Sequence, residues 1–183
     1  MNRAETLQVL SYLKVAYPQA YGRMTKEDIQ AMAKMWELQF KGFEYEMVMM
    51  AVNSYISSDT SGYFPVIGRI KELIYKLSNP NEMTEQEAWN RVKKAISKSG
   101  WYSNEEFEKL PPNLQKLVGS PNQLRDWAMM NSDELNTVVA SNFMRSYKAR
   151  SNQIKEFEML PNDVKALIET VSNTKMIEGN SND

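Results

Sequence analysis

Four cations crowd one predicted helix, and two aromatic residues follow it. The cations are Arg91, Lys93, Lys94 and Lys98, and the aromatic pair is Trp101 and Tyr102. Such cations can hold the phosphates of a single-stranded nucleic acid while aromatic rings stack on its bases. Residues 84–150 contain almost as many Asp and Glu as Lys and Arg. A solvated helix face is therefore the first interpretation, and a weak DNA contact is the alternative.

Residue types that usually perform catalysis are missing. The 183-residue chain has no histidine and no cysteine, so it lacks the commonest general base, the usual zinc ligands and any thiol nucleophile. Gly62 and Gly68 form the closest glycine pair, and no Gly-Lys-Ser/Thr follows them as a phosphate-binding loop requires. The carboxylates are scattered over predicted solvent faces. We therefore expect no catalytic residue, no cofactor and no metal, and the chain is predicted not to be an enzyme.

One phrase occurs twice in the chain. EFEKLPPNLQKLV begins at Glu106, and EFEMLPNDVKALI begins at Glu156. In each copy a Phe precedes a Leu by three positions, and the proline that follows suits the first turn of a new helix. The phrase thus predicts a repeated helix-Leu-Pro-helix corner, with two similar corners of one helical core as the first interpretation. The alternative is that Glu106, Glu108, Glu156 and Glu158 present paired acidic surfaces to a basic partner.

The elements that position these residues are helices throughout. Apolar residues recur at three- and four-residue spacing along most of the chain, and Thr25 and Thr84 each open a predicted capping box. The polar stretch SNPNEM from Ser78 predicts a linker. We predict an all-α protein with a four-helix N-terminal domain at 1–77, a linker at 78–83, a C-terminal helical domain at 84–171 containing the repeated corner, and a polar tail at 172–183.

Charge and hydropathy bound the partners. The net charge of −1 gives no global attraction to nucleic acid or to an anionic membrane. MNRAETLQVL lacks the apolar core of a signal peptide, and no segment approaches the ~18 apolar residues of a membrane span. A soluble intracellular protein without membrane contact is predicted.

The first half resembles a known family. The matching residues are Tyr17-Pro18, Trp36-Glu-Leu38, Phe43-Glu-Tyr45-Glu-Met-Val48, Ala51-Val-Asn-Ser-Tyr55 and Phe64-Pro65-Val-Ile67. Over roughly residues 7–77, they resemble the N-terminal domain of phage replicative helicase loaders and inhibitors. The resemblance implies a non-enzymatic protein of the infected bacterial cytoplasm that binds a DnaB-type hexameric helicase. It also implies delivery of that helicase through a replication initiator or a single-strand-binding protein.

The second half resembles segments of larger phage replication proteins, and the resemblance places most of the helicase contact beyond the N-terminal domain. Candidate partner-binding residues are Glu106, Phe107, Glu108, Trp127, Phe143, Tyr147, Glu156 and Phe157. Loading and inhibition stay open, as do a phage and a host helicase. A direct single-stranded-DNA-binding replication organiser and an inhibitor of a host replication protein are the alternatives.

Overall fold

The computed structural model describes the backbone of residues 1–179 and the side chains of residues 1–171. Within the described backbone every regular element is a helix, which confirms the all-α prediction. The chain divides into two compact units. Unit 1 contains Met1–Pro80 together with the chain from Lys155 onwards, and unit 2 contains Asn81–Ile154.

The N-terminal part of unit 1 contains four long helices and one short one. They are α1 (Arg3–Ala16), α2 (Pro18–Tyr21), α3 (Lys26–Phe40), α4 (Tyr45–Ser58) and α5 (Ile67–Ser78). The predicted capping box opens α3, because the Thr25 side chain accepts from the Asp28 amide while the Asp28 carboxylate accepts from the Thr25 amide. Trp36 and Phe40 on the same helix are buried, with ring centroids 5.1 Å apart. Burial of these rings anchors the core of unit 1.

Unit 2 is built from shorter helices. They are α6 (Glu85–Ile96), α7 (Ser99–Glu108), α8 (Pro112–Val118), α9 (Pro121–Met129), α10 (Ser132–Glu134) and the first part of α11 (Ala140–Glu158). A π-helical segment, Leu135–Val139, joins α10 to α11. The Thr84–Glu87 capping box opens α6 as predicted. Trp89, Leu114, Leu124 and Phe143 are among the buried residues of the core of unit 2.

The chain ends in α12 (Asn162–Gly179), which extends through part of the predicted polar tail. Residues 180–183 of that tail lie outside the described residues. The boundary between Pro80 and Asn81 lies inside the predicted linker. The predicted C-terminal domain at 84–171 differs from unit 2, because the chain from Lys155 onwards packs with unit 1.

Candidate functional site

The two copies of the repeat, residues 106–118 and 156–168, fold into the same backbone corner. The Leu110 amide donates to the Phe107 carbonyl at 3.1 Å, and the Leu160 amide donates to the Phe157 carbonyl at 3.1 Å. In each copy the proline carbonyl then accepts from the amides three and four residues later, which starts the next helix. The structure therefore contains the repeated helix-Leu-Pro-helix corner that the sequence predicts.

The first copy belongs to the core of unit 2. Leu110, Leu114 and Val118 are buried in one cluster with Leu124 of α9, and Phe107 packs against that cluster. Because α9 follows α8 after the turn at Gly119, the chain itself supplies the helix that covers this apolar face. The first copy is therefore a structural joint.

The second copy exposes the equivalent face. Val164 and Ile168 are each 39% exposed, and Leu167 is 64% exposed. Val171 continues the same line on α12 and is 48% exposed. These four residues recur at i, i+3, i+4 and i+7, so they form one continuous stripe along the helix. We call Val164, Leu167, Ile168 and Val171 the α12 stripe.

Polar contacts hold the second copy within unit 1. The Lys71 ammonium donates to the Gln39 side-chain oxygen at 2.8 Å and to the Met159 carbonyl at 2.9 Å. Lys71 is only 5% exposed, and burial, with a smaller effect from Lys165, lowers the pKa of its ammonium. Lys155 forms an ion pair with Glu72 at 3.1 Å. These contacts attach the corner through its polar side.

A glycine makes room for the same corner. Gly42 has a φ of +93°, and a Cβ added there would overlap the side-chain amide of Asn162. The positive φ and the absent side chain together favour glycine at this position. Lys41 beside it reaches Asp163 at 3.3 Å. The start of α12 therefore packs directly on the turn between α3 and α4.

Glu106, predicted to form an acidic surface, lies instead among cations. Lys109 donates to its carboxylate at 2.6 Å. This hydrogen bond, with weaker contributions from Lys98 and Lys94, lowers the pKa of the Glu106 carboxyl. The structure corrects the prediction for this residue, since its charge is already compensated within unit 2. The exposed Glu108, Glu156 and Glu158 stay predicted contacts.

Two predicted partner-binding aromatics are core residues. Phe143 and Tyr147 are buried, and the Tyr147 hydroxyl donates to the Met83 carbonyl at 3.0 Å. Their four-residue spacing reflects packing in the core near Trp89, whose ring centroid lies 5.5 Å from that of Phe143. The prediction that they contact a partner is corrected, because a buried ring offers no surface. Trp127 is half-buried.

The second predicted candidate set separates into two positions. Arg91, Lys94 and Lys98 line one groove, and Lys93 is exposed outside the lining of that groove. Trp101, next along the chain, is 93% exposed. The sequence reasoning missed the α12 stripe, although the spacing of its four apolar residues was available as a signal.

Among the described residues, none of the helices combines the length and the apolar character needed to cross a bilayer. Within the same part of the chain, acidic side chains do not gather in a group of three that could hold a metal ion.

Comparison with known families assigns the first part of unit 1. Residues 1–71 match the family model for the N-terminal domain of a phage helicase loader and inhibitor protein. This match confirms the predicted resemblance of the N-terminal domain to phage helicase loaders and inhibitors. Neither a curated protein nor a solved structure matches the chain. The predicted resemblance of the second half to larger phage replication proteins stays a prediction.

Proposed function

With a helicase loader and inhibitor N-terminal domain as the premise, we propose that this chain is a non-enzymatic phage replication protein. It binds a DnaB-type hexameric helicase and controls the access of that helicase to DNA in the cytoplasm of the infected bacterium. The match of residues 1–71 is the observation that carries the proposal. A replication initiator or a single-strand-binding protein is the expected second partner.

The α12 stripe is the surface we assign to the helicase. In a monomeric soluble protein, a continuous exposed apolar stripe marks an interaction site more often than scattered apolar residues do. Leu167 is the most exposed residue of the stripe, at 64%, and lies near its middle. It is therefore the expected centre of the contact.

The first copy of the repeat indicates what covers the second. In unit 2, Leu114 and Val118 pack on Leu124 of the amphipathic helix α9. Since the second copy has the same backbone corner and equivalent apolar positions, it fits an amphipathic helix supplied by another protein. We therefore propose that a surface helix of the helicase occupies the place that α9 occupies on the first copy.

The size of the stripe bears on the affinity. Four half-exposed side chains bury less area than a standard protein interface of roughly 1,600 Å². Each contact with one helicase subunit is consequently expected to be weak. A ring of identical subunits offers repeated sites, so several copies of the chain can occupy it together, and contacts from both units of one chain would add by effective concentration.

Size-exclusion chromatography with a purified DnaB-type helicase tests the function and the surface separately. The wild-type chain is expected to co-elute with the helicase ring. Leu167→Asp, which places a charge in the stripe at an exposed position, is expected to abolish co-elution while leaving the circular dichroism spectrum unchanged. Val15→Asp is the matched control, because Val15 is 82% exposed on α1.

The outcomes distinguish the two claims. If the wild-type chain forms no complex with the helicase, the proposed function is wrong. If Leu167→Asp still co-elutes as well as Val15→Asp, the function stands and the assignment of the α12 stripe is wrong. A strand-displacement assay on the complex then separates loading, which raises unwinding, from inhibition, which lowers it.

A further inference from the structure

Unit 2 presents two aromatic rings to solvent beside a lysine. Trp101 is 93% exposed and Tyr102 is 61% exposed. Tyr102 has non-helical angles, φ −120° and ψ 40°, so α7 is kinked where these side chains leave it. Together with Lys98 and the half-buried Trp127, they line a pocket of about 510 Å³. An indole exposed to this extent contributes little to folding, and its face is free to stack on a flat partner.

A basic groove shares Lys98 with that pocket. The groove measures about 270 Å³ and is lined by Arg91, Lys94, Lys98 and Lys109 around the single carboxylate of Glu106. The first three cations recur at i, i+3 and i+7, so one face of α6 and its C-terminal extension presents them together. One carboxylate cannot neutralise four cations. The groove therefore keeps an excess of positive charge despite the net charge of −1 on the chain.

We propose that unit 2 binds single-stranded DNA along this surface. The cations of the groove contact successive phosphates, and Trp101 stacks on an unpaired base at the edge of the pocket. A single strand satisfies both features, because its phosphates are anionic and its base faces are free. A duplex hides those faces. An acidic peptide pairs with the cations and leaves the indole without a partner.

The proposal fixes two separable signatures. Phosphate contacts release counterions, so the logarithm of the binding constant falls with the logarithm of the salt concentration, with a slope of about −0.7 per contact for single strands. If Lys109 stays engaged with Glu106, then Arg91, Lys94 and Lys98 predict a slope of about −2. Stacking adds an affinity that depends little on salt. Loss of one stacked base is expected to weaken binding roughly 5-fold to 100-fold.

Fluorescence anisotropy of a labelled dT12 oligonucleotide, titrated with the full chain at several salt concentrations, tests both signatures. Trp101→Ala is expected to weaken binding about 10-fold with an unchanged salt slope. Lys94→Glu is expected to weaken binding and to flatten the slope by about 0.7 or more. Both residues are exposed, so folding should tolerate both changes.

Matched controls lie in unit 1. Tyr63→Ala removes another exposed ring, since Tyr63 is 75% exposed. Lys26→Glu makes the same charge change as Lys94→Glu at an exposed position at the start of α3. Both controls are expected to bind dT12 with nearly the affinity of the wild type.

Four results would overturn the proposal. They are the absence of dT12 binding, full affinity in Trp101→Ala, equal competition by polyglutamate, which would identify an acidic protein as the partner, and tighter binding of a duplex of the same length or of rU12. Because the titration contains no helicase, its result is independent of whether the proposed helicase contact exists.

Discussion

The two copies of the repeat share their sequence and their backbone corner but differ in what covers them. In the first copy, Leu114 is fully buried beneath a helix of the same unit. In the second copy, the equivalent Val164 is 39% exposed on α12. The comparison shows that the Leu-Pro corner is specified locally, by proline and by a few backbone hydrogen bonds. Burial is specified by the neighbouring elements, which the repeat itself does not encode.

The same contrast applies to the charged residues of each copy. Glu106 lies among the lysines of unit 2, whereas Glu156 is exposed. The first copy is held by its apolar face, and the second is held through polar contacts around Lys71. Inversion of the attached face leaves the apolar side of the second copy free for a partner. Three pairs of matched substitutions can test that inversion.

The largest effect is expected for truncation of the apolar residue at the equivalent position of each copy. Leu114→Ala should lower the free energy of unfolding of unit 2 by about 2–5 kcal/mol, because it leaves a cavity in the core. Val164→Ala should change stability by less than about 0.5 kcal/mol, because its side chain already contacts water. Urea unfolding measures both, with Trp89 and Trp127 contributing to the fluorescence of unit 2. An equally large loss for Val164→Ala would show that the second copy is covered in solution.

The sequence alone predicts the local features and misses the pairing between elements. Helical periodicity, the capping residues Thr25 and Thr84, and the duplicated corner are all short-range signals, and the structure contains each of them. The exposure of Leu167 depends on which helices lie nearby, so the repeat favoured a core role for both copies. Phe143 was misassigned for the same reason, because an aromatic at helical spacing fits a core and a docking face equally well.

A medium effect is expected for glycine substitution at two turns with almost equal backbone angles. Gly42 has a φ of +93° and Gly119 a φ of +92°, so alanine is strained at both, by about 1–3 kcal/mol. Only at Gly42 would the new Cβ also meet Asn162 of the second copy, whereas Gly119 has open space around it. Gly42→Ala should therefore destabilise more than Gly119→Ala, as urea unfolding would measure.

Hydrogen exchange identifies the cause of that difference. Gly42→Ala should speed amide exchange in residues 155–168, whereas Gly119→Ala should leave this segment unchanged. Adding Asn162→Gly to Gly42→Ala removes the clashing side chain and should reduce the destabilisation to that of Gly119→Ala. Equal destabilisation by the two single substitutions, with unchanged exchange, would show that the second copy does not rest on the turn at Gly42.

The smallest effect is expected for neutralisation of the first glutamate of each copy, and its signature is a pH dependence. Lys109, with help from Lys98 and Lys94, lowers the pKa of the Glu106 carboxyl below its ordinary value of 4.5. A carboxyl with a lowered pKa in the folded state stabilises that state above pH 4.5, and the stabilisation is lost as the pH falls through the folded value. Glu106→Gln should therefore be less stable than the wild type at neutral pH, and the difference should vanish on acidification. Glu156→Gln is the control at the exposed position. A difference between Glu106→Gln and the wild type that stays constant from neutral to acidic pH would show that the ion pair with Lys109 does not form, and the groove in unit 2 would then carry a free carboxylate.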